Sequence, residues 1–265
     1  MNSRLERELA SFSGLWKGGY FEGDPLDPMG RSSYGQIGYI SVLHATYLRC
    51  IKPYVHKDTV ALEIGPGRGA WTRTMLHAKR IYALDAIAER NNCFFEFLGY
   101  PENVEYFHVN DFKCDMIQDS AIDFVFSYGC LCHVSFDGIR EYARNLYAKC
   151  REGANAFWMI ADYDKYDRSV SSLDRLSVWQ LYMPNEKKYF LLKMVLKYFY
   201  HLERKKNAVK LALRRRDEDD EPRPGRWFNA RLDRTCEMLE RTGYKVLSED
   251  VGTCLRDPII HFRKP

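Results

Sequence analysis

Glu63-Ile64-Gly65-Pro66-Gly67-Arg68-Gly69 is the run of this sequence best suited to chemistry. Glycines at alternate positions let a backbone turn sharply and approach a ligand closely, because no Cβ stands in the way. Asp85 follows Gly65 by twenty residues, the spacing at which a carboxylate meets the hydroxyls of a ribose. Read literally, Gly65-x-Gly67-x-x-Ala70 also satisfies the dinucleotide pattern G-x-G-x-x-G/A. Either way, the residues point to capture of an adenosine-bearing cofactor. A second set suits an acceptor. His133 lies in Ser127-Tyr128-Gly129-Cys130-Leu131-Cys132-His133, and a neutral imidazole there can take a proton from a hydroxyl. Tyr128 suits a pocket wall, and Asp162 suits hydrogen bonds to acceptor hydroxyls. The turn-rich segment from Phe21 to Gly35 adds Arg31 for charge and Tyr34 for stacking, and reads as a lid.

The elements around these residues alternate. Val60–Ile64, Ile81–Leu84, Val104–Val109, Ile122–Ser127 and Ala156–Ala161 read as strands, with helices over Ala70–His77, Ala86–Leu98 and Asp137–Cys150. That rhythm implies right-handed crossovers and a parallel sheet covered on both faces, an α/β, Rossmann-like architecture. Phe228–Arg241 reads as a last helix closed by Gly243. The runs Tyr244–Val251 and Pro258–Arg263 have too short a link for a crossover, so they are expected to be antiparallel neighbours. The chain therefore divides into an N-terminal lid and helix (1–57), a cofactor-binding core (58–162 and 227–265) and a helical basic insertion (163–226). In the first part, Tyr39–Tyr54 has helical spacing until Pro53.

On these motifs the sequence resembles the class I S-adenosylmethionine-dependent methyltransferases over residues 58–162 and 227–265. Their E/D-x-G-x-G-x-G motif is matched by Glu63, Gly65, Gly67 and Gly69, and their second-strand acid by Asp85. Asn110-Asp111-Phe112 resembles their adenine-contacting turn, and Ile122–Ser127 the strand whose end faces the methyl group. The resemblance implies a seven-stranded, mainly parallel sheet with an antiparallel last strand, and S-adenosylmethionine as the cofactor. It implies that Glu63 orients the loop or the methionine amino group and that Gly65 and Gly67 admit the methionine portion. Asp85 and Ala86 would meet the ribose end, Asp111 and Phe112 the adenine, and Ser127 the methyl side. Metal-dependent members use acids after the fourth and fifth strands. Here the fourth ends in Ser127-Tyr128-Gly129, and no metal is assigned.

The acceptor expected from His133 and the lid is a small molecule or glycan, most simply a sugar hydroxyl. The resemblance extends, without a diagnostic motif, to bacterial sugar and polysaccharide O-methyltransferases. Two alternatives stay open: N- or O-methylation of a small metabolite, and a non-catalytic cofactor-binding scaffold.

Charge locates a further partner surface. Of a net charge of +4, residues 186–216 carry +9, the acidic block Asp217–Glu221 carries −5, and the rest is neutral. This basic, aromatic-rich stretch suits an anionic membrane surface or glycan, while no nucleic-acid module accompanies it. No apolar run approaches the length of a membrane span, and the N-terminus lacks a secretory core. Eight scattered cysteines read as reduced thiols. The expected location is the cytoplasm, including the inner membrane surface. Oligomeric state is not legible.

Overall fold

A computed structural model of the chain describes residues 3–12, 18–28, 41–166, 198, 227–254 and 257–265. Seven strands form one sheet in the order β3-β2-β1-β4-β5-β7-β6. They are β1 Val60–Ile64, β2 Arg80–Asp85, β3 Val104–His108, β4 Ile122–Ser127, β5 Cys150–Met159, β6 Lys245–Ser248 and β7 Ile259–Arg263. The pairs β1/β2, β1/β4, β2/β3 and β4/β5 are parallel. Strand β7 runs antiparallel to both β5 and β6, so six strands share one direction and the last is reversed. The final two runs are antiparallel neighbours, as their short link requires.

Alternation along the central strands builds two cores. Leu62, Ile64, Leu84, Val125 and Trp158 pack on one face, and Ala61, Ala83, Phe124, Phe126 and Phe157 on the other. Every residue of β1 is buried, the mark of a central strand covered on both sides. The strand order reverses between β1 and β4, so their carboxyl ends open the crevice where such sheets take ligands.

The helices are α1 Ser3–Ala10, α2 Val42–Thr46, α3 Glu89–Asn92, α4 Phe94–Leu98, α5 Phe136–Lys149 and α6 Leu232–Thr242. Three differ from the sequence expectation. Ala70–His77 is not an α-helix but holds a single 3-10 turn at Thr72–Met75. Its threonine hydroxyls bond Glu63 and the Trp71 carbonyl, and such local bonds compete with helix. Ala86–Leu98 is broken at Cys93, whose φ of 51° is left-handed. The helix read from Tyr39 begins at Val42 and widens into a π-helical turn, Tyr47–Ile51, just before Pro53. Strand β5 begins six residues before the apolar run, because Arg151, Glu152 and Gly153 are exposed.

Residues 163–166 make one helical turn, and the basic stretch 186–216 lies outside the described residues, apart from Tyr198. Where the chain leaves and returns, the two segments are joined. Ala230 N donates to Ala161 O over 3.1 Å and Tyr163 N to Asn229 Oδ1 over 3.1 Å. Among the described residues no helix is long and apolar enough to cross a membrane.

Candidate cofactor site

The glycine loop leaves β1 at Ile64 and turns through Gly65, Gly67 and Gly69, with φ of +71°, +55° and +98°. A left-handed backbone at three alternate positions is what glycine permits and L side chains resist. The space confirms the need. A Cβ on Gly65 would stand 2.3 Å from Cys130 Cβ and Sγ, and one on Gly67 would stand 2.9 Å from the Tyr20 carbonyl. The glycines therefore admit protein on these sides. Cys130 approaches from the loop after β4, and residues 18–28 approach from the N-terminal arm.

Asp85 ends β2, is buried, and is already bonded to the loop. Its Oδ2 accepts from Gly67 N at 3.1 Å and from Asn92 Nδ2 at 3.1 Å; its Oδ1 accepts from Ile87 N at 2.9 Å. Burial pushes its carboxyl up to about 6, against the pull of these donors. Glu63 lies fully buried beneath the loop and accepts from Thr72 Oγ1 at 2.6 Å. Burial pushes Glu63 up to about 8, so it is largely protonated at neutral pH.

These parts surround a cavity of about 940 Å³ of empty space, counting its open mouth. Gly65, Gly67, Asp85, Ala86, Tyr128 and His133 all line it. His133 sits in a 3-10 turn, Leu131–His133, whose last N–H bonds the Cys130 carbonyl at 2.9 Å. Tyr128 packs on Trp71 at 4.6 Å between ring centroids. Glycine loop, acid, tyrosine and histidine are thus brought to one space by the ends of three neighbouring strands.

Other residues singled out in the sequence sit elsewhere. Glu63, Gly69, Asp111, Phe112, Ser127 and Asp162 do not line the cavity. Gly69 faces Leu98 and Phe94, and Ser127 donates from Oγ to the Ile64 carbonyl at 3.0 Å, tying β4 to β1. Asp111 pairs with Lys113 at 3.3 Å, and Phe112 packs edge-on against Tyr142 at 4.8 Å. Asp162 spends one oxygen on Lys165 N at 2.6 Å and the other on Leu232 N at 2.8 Å, bridging two helix starts. Arg31 and Tyr34 lie outside the described residues. Among the described residues no group of three His, Cys, Asp or Glu side chains could hold a metal ion.

Sequence reasoning missed part of the wall. Leu9 and Phe12 of the N-terminal arm, Asn92 of α3 and Tyr142 of α5 all line the cavity. The arm also carries Tyr20, Glu22 and Gly23 to it, and Asp24 pairs with Arg73 at 3.2 Å. The apolar pair Leu9 and Phe12, three residues apart, was the available signal that α1 docks.

No family model and no curated protein sequence matches the chain. Solved structures do share its fold. A putative S-adenosylmethionine dependent methyltransferase from Listeria monocytogenes is 12% identical, with 84% of this chain and 98% of that chain covered at a TM-score of 0.50. A SAM dependent methyltransferase from Aquifex aeolicus is 14% identical, with 83% and 93% covered at 0.48. The YcgJ protein from Bacillus subtilis is 18% identical with 50% of this chain covered at 0.40, and this chain spans only 58% of its length. The sheet order and reversed last strand, with the Listeria likeness, define the class I methyltransferase fold.

Proposed function

We propose that the chain is a S-adenosylmethionine-dependent methyltransferase that methylates a hydroxyl, with His133 as the general base. The observation that carries this reading is convergence: the glycine loop, Asp85 and His133 line one cavity at the carboxyl ends of β1, β2 and β4. When bound, the cofactor supplies a sulfonium methyl for in-line transfer. Among the described residues Asp85 Oδ1 accepts one bond, from Ile87 N, and so keeps capacity for a ribose hydroxyl. Gly65 and Gly67 form the floor, and Ala86 with Ile87 offers an apolar surface for the base. Glu63 and Ser127 act beneath the floor, bracing the loop and the strand ends.

At the other wall Tyr128 shapes the methyl side, and His133 Nδ1 or Nε2 takes the acceptor proton as the new bond forms. A sugar or glycan acceptor is favoured by the aromatic and carboxylate lining from Tyr20, Glu22 and Tyr128. Arg31 and Tyr34, outside the described residues, are of residue types that suit the same acceptor. The composition of 186–216 supports an anionic membrane or glycan surface as the place where the acceptor is met.

The test is transfer of a labelled methyl group from S-adenosylmethionine to sugar nucleotides and lipid-linked glycans. His133→Ala should lower turnover by about 10²-fold or more while leaving cofactor affinity unchanged. Full turnover in His133→Ala would sink the hydroxyl reading in favour of an amine acceptor. Tight cofactor binding with no transfer to any acceptor would favour a scaffold.

A further inference from the structure

Behind the acid of the cavity lies a closed ring of hydrogen bonds. Asn92 Nδ2 donates to Asp85 Oδ2 at 3.1 Å and to Tyr106 Oη at 2.9 Å. Tyr106 Oη donates in turn to the Ile87 carbonyl at 2.6 Å, and Ile87 N donates to Asp85 Oδ1 at 2.9 Å. The ring joins the end of β2, the turn after it, α3 and β3. Asn92 is completely buried and lines the cavity.

The cost of the arrangement shows what it serves. Both amide hydrogens of Asn92 are used, yet its Oδ1 is buried with no partner among the described residues. A buried amide oxygen left unpaired opposes folding, so the amide is held in this orientation by the acid and phenol it serves. A carboxylate has about four acceptor sites. Gly67 N and Asn92 Nδ2 fill those of Oδ2, and Ile87 N takes one on Oδ1. Among the described residues nothing else donates to Asp85, so one direction, on Oδ1, is left for a ligand.

We propose that Asn92 is a positioning residue for cofactor binding, which with Tyr106 fixes the Asp85 carboxylate so that Oδ1 receives a ribose hydroxyl. The proposal rests on the methyltransferase reading of the site. It separates two tasks in the ring: Asp85 touches the ligand, and Asn92 determines which oxygen does so and keeps that carboxylate ionised. The second task is electrostatic. Burial opposes the charge on Asp85, as do Glu63 of β1 and Cys130 after β4 when ionised, while His108 of β3 favours it. Among the described residues Tyr106 of β3 and Tyr142 of α5 also feel the Asp85 charge, and Glu89 of α3 acts on Tyr106. Two neutral donors, the Gly67 N–H and the Asn92 amide, supply the stabilisation that Oδ2 receives.

The experiment is calorimetric titration of the full chain with S-adenosylhomocysteine from pH 5 to 8.5, for wild type, Asn92→Leu and Tyr106→Phe. Wild-type affinity should fall as pH drops through about 6, where Asp85 takes up a proton. Asn92→Leu should weaken binding about tenfold at pH 7 and move that acidic midpoint upward, because the anion has lost a donor. Tyr106→Phe keeps the packing ring and should move both quantities the same way by a smaller amount, so it decides the matter if Asn92→Leu does not fold. A purely structural role would lower the melting temperature but leave affinity and midpoint at their wild-type values in both variants, which would overturn the proposal. No binding by wild type at any pH would instead overturn the cofactor reading beneath it.

Discussion

Glu8 and Ser135 join the N-terminal arm to the far wall of the cavity. Glu8 Oε1 accepts from Ser135 N at 2.5 Å and Oε2 from Ser135 Oγ at 2.6 Å. Ser135 is also the N-cap of α5, its Oγ accepting from Gly138 N at 3.3 Å. A carboxylate at a helix N-terminus is favoured by the exposed N–H groups and the helix dipole. This contact seats Leu9 and Phe12 over the cavity, and it lies two residues beyond His133.

If this contact holds the arm closed, Glu8→Ala should speed release of bound S-adenosylhomocysteine. A lost charge-assisted bond pair predicts roughly a tenfold faster off-rate, with little change in the melting temperature of the sheet. Stopped-flow displacement measures it; an unchanged off-rate would show that the arm does not gate the cavity.

Gly65→Ala should be strongly destabilising, by about 2 kcal/mol or more, because it combines a left-handed backbone with an overpacked contact. Its Cβ would meet both Cβ and Sγ of Cys130 at 2.3 Å. Removing only the sulfur leaves one of these clashes, so Cys130→Ala should rescue poorly and Cys130→Gly better. Denaturant melts of the two double variants should rank in that order.

Glu63 gives stability a pH dependence of definite sign. Its folded-state value of about 8 lies above the ordinary carboxyl value of about 4.5, so the native state binds the extra proton. The contribution is fully present below about 4.5 and is lost as pH rises through 8. Glu63→Gln keeps an acceptor for Thr72 without the proton, so its melting temperature should change less than wild type between pH 6 and 9. Equal slopes for the two proteins would mean that Glu63 is not the responsible group.

Asp162 follows β5 and has the chemistry to bind acceptor hydroxyls, but both its oxygens accept from backbone N–H groups. Asp162→Ala should therefore cost about 1–3 kcal/mol of stability, as a lost cap does, with KM for the acceptor unchanged. A large rise in KM in a protein of normal stability would restore the acceptor role.

What could be read from the sequence was local. The strands show in their alternation, and the glycine loop with Asp85 shows in residue type and spacing. The reversed last strand follows from a link too short for a helix. What escaped was set by neighbours distant along the chain. Asn92 reaches Asp85 from α3, and Tyr142 reaches the cavity wall from α5. Asp111 and Asp162 have suitable chemistry, yet Asp111 is paired with Lys113 outside the cavity and Asp162 is spent on Leu232 seventy residues on. The 3-10 turn at Thr72–Met75 reflects hydroxyls drawn to Glu63 and Trp71, which periodicity does not register.

Binding of S-adenosylmethionine by the glycine loop and Asp85 underlies the proposed function. Calorimetry with S-adenosylhomocysteine, and with NAD under the same conditions, tests it most directly. One molecule of S-adenosylhomocysteine should bind per chain, with binding lost in Asp85→Ala, and NAD should not bind. Binding of NAD in its place, or S-adenosylhomocysteine binding that survives Asp85→Ala unchanged, would contradict it.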